Sequence, residues 1–280
     1  MRIGGEIKRP YSSPEEWIAL VKEMRYSAVL CPVDSGAPSD VRRLYRECAE
    51  RNDVVIGEVG VWRNTLSQND DERRQAMDYA KAQLQLAEEM GACCCVNIAG
   101  NRGEGPWDGF SAVNYAEDTF ALIVEMVREI IDAVKPKNTF YSLEPMPWMT
   151  PDSPEEYLRL IKAVDRPAFA VHLDYVNMIS SPRRYFDSIG FITECFRLLG
   201  PYIRSIHAKD VIMDNAYTTI IHEVMPGKGV LDYTRILPLA EALGKDTPVF
   251  VEHLPDWESY CEAAAYIRSN AQKAGIEVIG

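Results

Sequence analysis

Histidine is scarce in this chain, with four among 280 residues. A centre built on a crowd of imidazoles is therefore out of reach. No two cysteines stand in a CxxC spacing. The seven cysteines are odd in number, and Cys93, Cys94 and Cys95 are consecutive, so on a strand they point to alternate faces and make a poor disulfide framework. Read as small buried hydrophobes with reduced thiols, they fit the cytosol. Positive charge is also short. The net charge of −12 repels phosphate backbones, which argues against nucleic-acid binding and against a basic membrane-surface protein. No apolar run approaches the ~20 residues that span a bilayer. The opening "MRIGGEIKRP" has no apolar core of a secretory signal, so a cytoplasmic location is expected. No Gly/Ser linker, composition break or low-complexity tract appears, so residues 1–280 read as one domain. No GxGxxG follows a strand, which leaves no dinucleotide site. "PGKG" lacks the Walker pattern and reads as a turn, with Lys228 free to meet a phosphate.

What the chain does have is alternation. Short apolar, β-branched or aromatic runs ("RIGGEI", "SAVLCPV", "VVIGEVGVW", "ACCCVNIAG", "TFYSLEP", "FAVHLDY", "IRSIHAKD", "PVFVEHL") alternate with longer amphipathic ones. Helix signals frame the second kind. Ser13 stands three residues before Glu16 in a capping-box spacing. "DDERRQ" puts acids in a first turn, and Gly91 follows the same helix. "PRRYFDSIGFITECFRLLG" reads as one helix, and Pro238 should kink the seventh helix or delay its start. Eight strand–helix units predict a parallel sheet with helices outside it, closing into a single (β/α)8 TIM barrel of the α/β class. An open doubly wound sheet is the alternative.

Barrel enzymes build their sites at the C-terminal ends of the strands. The fifth to eighth strands end in Glu144, Asp174, His207 and Glu252, each after an apolar body. Three carboxylates converging at one mouth repel one another unless protons or a cation sit among them. With one imidazole they form an oxygen-rich set that suits Mn2+, Mg2+ or Co2+ better than a sulfur-rich zinc site would, Zn2+ staying open. His172, two residues before Asp174, should share its face one layer deeper. Lys209 should face the mouth in the same way beside His207. His222 falls in a long connection above the barrel, where substrate contacts live. Trp62, Trp107 and Trp148 fall in loops after the third to fifth strands and suit the apolar face of a sugar. His253, next to Glu252, should point away.

The motifs "SLEP", "HLDYVNM", "IHAKD", "PGKGVLDY" and "VEHL" carry a resemblance. Over nearly its whole length the chain resembles the xylose isomerase-like TIM-barrel superfamily of sugar isomerases, ketose 3-epimerases, inosose dehydratases and endonuclease IV. The resemblance implies one divalent metal, manganese first, held by Glu144, Asp174, His207 and Glu252. It implies that Glu144 and Glu252 also move a proton beside a keto-sugar carbonyl, and that the protein forms a homo-oligomer. Two departures stand out. Asn177 replaces a histidine that the epimerases usually carry, and it can bond a substrate hydroxyl but cannot act as a base. Lys209 and Asp210 stand where the epimerases tend to have an arginine. The expected activity is a metal-dependent sugar isomerase or epimerase acting on a small sugar or keto-sugar. The alternative is a lyase of the inosose dehydratase or C-glycoside deglycosidase kind. An endonuclease IV-like nuclease fits poorly with four histidines and the acidic charge.

Overall fold

The structure, a computed structural model, describes all 280 residues. Eight parallel strands close into a barrel: β1 (Arg2–Gly5), β2 (Ala28–Leu30), β3 (Val55–Gly60), β4 (Cys94–Asn97), β5 (Tyr141–Leu143), β6 (Phe169–Leu173), β7 (Ile203–Ala208) and β10 (Pro248–Val251). Around the ring the order is β1, β10, β7, β6, β5, β4, β3, β2. Nine α-helices accompany the strands: α1 (Pro14–Glu23), α2 (Ser39–Arg51), α3 (Asp70–Met90), α4 (Glu117–Val134), α5 (Pro154–Val164), α6 (Pro182–Phe186), α7 (Ser188–Leu199), α8 (Tyr233–Glu241) and α9 (Trp257–Lys273). None is long and apolar enough to cross a membrane.

The helix boundaries follow local chemistry. The Ser13 hydroxyl accepts from Glu16 N at 3.2 Å at the start of α1, Ser153 does the same for α5, and Asn69 accepts from Asp71 and Glu72 in α3. These side chains satisfy backbone N–H groups that no carbonyl of the helix can reach. Gly91 ends α3 in the left-handed conformation expected of it. Cys94 and Cys95 are fully buried, and all seven cysteines are free.

Three features depart from the sequence reading. The long connection after β7 is not a loop but an antiparallel hairpin, β8 (Asp210–Met213) with β9 (Ile221–Val224). Its strands are "DVIM" and "IHEV", each with two β-branched residues and a polar residue at or near its start. The helix expected at 182–199 breaks at Asp187, whose carboxylate lies against Gly190 in the space a β-carbon there would occupy. Pro238 lies inside α8 without delaying its start, since Asp232 caps the helix by accepting from Thr234 N at 3.0 Å.

The barrel floor is set by one ring. Phe250 on β10 is 1 % exposed and sits between β1 and β3. A β-carbon on Gly4 would lie 2.5 Å from it, and one on Gly57 also 2.5 Å. Glycine at both positions is what lets an aromatic side chain fill the interior. Burying such a ring contributes about 2–3 kcal/mol.

Candidate metal centre

Four barrel strands deliver their polar residues to one point. Glu144, Asp174 and Glu252 each follow the last residue of β5, β6 and β10, and His207 is the penultimate residue of β7. One donor atom from each lies within 4.8 Å of the others. His207 Nδ1 is 2.8 Å from Glu252 Oε2, 3.5 Å from Glu144 Oε1 and 3.7 Å from Asp174 Oδ2. Local clamps fix these positions. On α5, the Tyr157 hydroxyl accepts from Leu143 N at 3.1 Å and lies 3.1 Å from Ala170 O, which ties the end of β5 to the body of β6. Asn177 donates to Glu144 Oε1 at 3.0 Å.

The donors fit a divalent cation. Asp174 Oδ2, His207 Nδ1 and Glu252 Oε2 are buried and make no aligned hydrogen bond, which is costly unless a positive charge meets them. Lys209 supplies part of that charge. It is 1 % exposed, with Nζ 2.7 Å from Asp174 Oδ2, 2.8 Å from Glu252 Oε2 and 3.2 Å from Glu223 Oε2. One ammonium offsets one of the three carboxylates at the mouth, and a divalent cation would offset the other two while leaving the imidazole neutral. Three carboxylates and one imidazole, with no thiolate, form a hard donor set.

Each carboxylate responds differently to this crowd. Burial, then the neighbouring Glu252, pushes Glu144 up to about 7, against the pull of His207 and Lys209. For Glu252, burial is outweighed by His207 and Lys209, which hold it well below the usual carboxylate range. Asp174 is likewise held low, because Lys209 and His207 overcome the effect of burial. Burial would lower His207, but Glu252, Glu58 and Glu144 raise it well above its ordinary value.

Glu58 was missed by the sequence reading, although the signal was there: a lone acid in the apolar strand "VVIGEVGVW" is costly unless paired. In β3, 3 % exposed, it accepts from the Ser205 hydroxyl and lies 3.4 Å from His207 Nε2. Burial would raise its pKa, but His172 and His207 bring it below the ordinary value. An Nε2–H given to Glu58 would leave Nδ1 as the nitrogen that a cation among the three carboxylates could bind in place of its proton, the arrangement in which an outer carboxylate orients a metal-binding imidazole.

Other expected residues fall in different places. His172 is fully buried and does not reach the cavity. It lies edge-on to His207 at 4.0 Å between ring centroids and 3.4 Å from Glu58, and burial, then His207, lowers it to about 4. It therefore lies beneath an imidazole ligand and holds none of the three mouth carboxylates. His222 sits on β9, exposed, 2.9 Å from Asp214. Trp148 is 37 % exposed and off the cavity wall, its indole N–H donating to Asp108 O at 2.7 Å. Trp62 and Trp107 do line the cavity. A β-carbon on Gly60 would sit 2.1 Å from Trp62 Nε1, so a glycine at the end of β3 lets that indole fold inward. His253 also lines the cavity instead of pointing away. β10 ends at Val251, and His253 takes a positive φ of 55°, so strand alternation no longer applies to it. Its Nδ1 lies 3.0 Å from Glu223. The aspartate of "HAKD" is structural: Asp210 accepts from Val211, Gly227 and Leu231 N–H groups at 2.9–3.0 Å and ties "PGKG" to the hairpin. Lys228 pairs with Glu262 at 2.6 Å.

A model of the xylose isomerase-like TIM barrel matches residues 17–273. No protein in a search of curated sequences matches this chain. Among solved structures, a xylose isomerase-like TIM barrel protein from Mycobacterium smegmatis in complex with magnesium superposes with a TM-score of 0.70 at 17% identity, covering 98% of this chain and 97% of that one. D-psicose 3-epimerase from Clostridium cellulolyticum H10 with D-tagatose gives 0.69 at 15% identity, covering 98% of each chain. The probable 3-DHS dehydratase of petrobactin synthesis from Bacillus anthracis gives 0.71 at 14% identity, covering 96% of this chain and 98% of that one. At these identities the superpositions speak for the fold.

Proposed function

The chain belongs to the xylose isomerase-like TIM barrel family, and from that premise we propose that it is a divalent-metal-dependent isomerase or epimerase that removes a proton beside the carbonyl of a keto-sugar. The observation that carries this is the meeting of Glu144, Asp174, His207 and Glu252 donor atoms within 4.8 Å of one another at the mouth of the barrel. Those four residues would hold the cation, Mn2+ before Mg2+, Co2+ or Zn2+. When bound, it supplies Lewis acidity to a carbonyl and the neighbouring hydroxyl, which makes the C–H between them acidic.

The side chains divide the proton work. Glu252 is held ionised by His207 and Lys209 and borders the cavity, so it takes the proton. Burial and Glu252 raise Glu144 to about 7 while no cation is present; with the cation bound it would be an ionised ligand, able to accept a proton and return it to carbon or oxygen. Asn177 fixes the orientation of Glu144 through its amide. Lys209 keeps the carboxylates from repelling one another and holds Asp174 and Glu252 in register.

Incorporation of solvent deuterium into keto-sugars tests this reading. The wild-type protein loaded with Mn2+ exchanges the proton next to the carbonyl. Glu252→Gln, which keeps the side-chain shape, lowers that exchange by about 10²–10⁴-fold while the far-ultraviolet dichroism stays native. Full exchange by the variant removes Glu252 as the base. A dehydratase of the same fold among the structural neighbours gives a second reading, in which the same carbanion expels a leaving group on the next carbon. Exchange accompanied by dehydration or aglycone release selects that lyase.

A further inference from the structure

The cavity above Phe250 is larger than a monosaccharide requires. It is open to solvent on one side and has a volume of about 790 Å3. A hexose has twelve non-hydrogen atoms, and even at the roughly 30 Å3 that each water takes in the liquid they fill at most about 360 Å3. More than half of the space is left over.

Around the wall, most of the candidate ligands and four aromatic rings come from different arcs of the barrel. Glu144, His207 and Glu252 come from β5, β7 and β10, which lie on one arc of the ring. The opposite arc, β4, β3, β2 and β1 with the segments that follow them, carries four aromatic rings together with Glu6, Asp34, Glu58 and Asp108. Tyr11 follows β1, Trp62 follows β3, Tyr79 lies on α3 and Trp107 follows β4, and all four line the cavity while only partly buried. Neighbours hold two of these rings in place. Tyr11 packs edge-on to Tyr45 at 6.3 Å, and the Arg63 guanidinium lies 5.0 Å from the centre of the Tyr79 ring.

The wall does not suit an anion. Lys8 is the only lysine or arginine on it, and its ammonium lies 2.6 Å from Glu6. Asp34 and Asp108 add further negative charge to the same wall. A phosphoryl group would meet no unpaired cation there.

We infer that the cavity takes an uncharged glycoside in place of a free or phosphorylated ketose, with a keto-sugar ring at the carboxylate end and a second ring, sugar or aryl, against Tyr11, Trp62, Tyr79 and Trp107. The identity of the first ring rests on the proposed function. The second ring rests on cavity size and aromatic placement. Because a glycosidic bond occupies the anomeric carbon, the carbonyl of such a substrate lies on another ring carbon. Aromatic side chains stack on an aryl ring or on the C–H face of a sugar, and polar groups at their edges take the hydroxyls.

The test uses D-fructose, methyl 3-keto-β-D-glucopyranoside and phenyl 3-keto-β-D-glucopyranoside with the Mn2+-loaded protein. Binding is followed separately, by tryptophan fluorescence, with methyl and phenyl β-D-glucopyranoside and the metal-free protein. The phenyl keto-glucoside should exchange with a kcat/KM at least about tenfold above the methyl compound and D-fructose, and the phenyl glucoside should bind at least about tenfold tighter than the methyl one. Trp107→Ala should bring both ratios close to one, and Trp107→Phe should retain most of the preference, which separates lost stacking from lost fold. Equal values for methyl and phenyl compounds overturn the inference, as does tighter binding of fructose 6-phosphate than of fructose. If no keto-sugar exchanges but the phenyl preference in binding persists, the proposed activity fails and the two-ring site stands.

Discussion

A carboxylate sealed inside a barrel has to be held by its neighbours, and Glu58 is held by Ser205 and two imidazoles. Its effect on the mouth is indirect. By taking Nε2–H it would leave Nδ1 of His207 as the nitrogen open to a cation among the carboxylates above. Glu58→Gln keeps the volume but removes the charge that orients the ring. Metal retained after dialysis should fall by about 10–100-fold in affinity, the range found when a partner of a metal-binding imidazole is removed. The melting temperature of the metal-free protein should move little by comparison. Unchanged metal content would assign Glu58 to packing alone. A proton and a metal also compete for His207 Nδ1. The surrounding carboxylates raise its pKa, so the proton stays on to higher pH, and metal affinity should drop toward acid and recover toward alkali. Calorimetric titration with Mn2+ on either side of neutrality, in buffers of different ionisation heat, should show proton release on binding.

At the scale of elements, Glu88 shows how one side chain can join two of them. From the end of α3 it accepts from the backbone N–H groups of Lys137, Asn138 and Thr139 and from the Asn138 amide at 2.7–3.1 Å, just before β5. Burial pulls its pKa up, but these donors outweigh burial and hold it below the ordinary glutamate value. A carboxylate lowered on folding stabilises above its unfolded pKa, and that contribution disappears as pH falls through the folded one. Glu88→Ala should cost about 1–2 kcal/mol at neutral pH in urea unfolding, and the difference from wild type should shrink below about pH 4. A constant difference across that range would tie the loss to packing instead of charge.

The elements also explain what could be read without coordinates. The barrel and its four candidate ligands were legible because each ligand follows an apolar strand body, so position along the strand and position in space coincide. His253 was misread for the complementary reason: alternation ends with the strand at Val251, and the next residues follow loop dihedrals. Glu58 needed partners from β6 and β7 that no spacing along the chain reveals. The hairpin β8–β9 and the break at Asp187 depend on contacts made only once the connection folds onto the barrel. Asp210 could be quoted from "HAKD" but not assigned, because its three backbone donors lie up to 21 residues away.

For the whole molecule, a cation held at the mouth would couple to stability. Asp174 Oδ2 and Glu252 Oε2 are uncompensated by aligned hydrogen bonds among the protein's own groups. A ligand that binds only the folded barrel stabilises it by about 2.7 kcal/mol at a hundred times its Kd. Chelation should therefore lower the melting temperature by several degrees, and Mn2+ should restore it in a concentration-dependent way. A melting curve indifferent to both would mean that Lys209 alone suffices to hold the carboxylates.

Phe250 makes the vessel blind. With its ring wedged between Gly4 and Gly57, Phe250 fills the interior of the barrel beneath the cavity, so a guest meets it as a floor. A two-ring guest of the proposed kind would then go in sugar first and back out tail first. Occupancy by a spent molecule bars the next arrival, so turnover should become limited by departure when the tail grips the aromatic side too strongly.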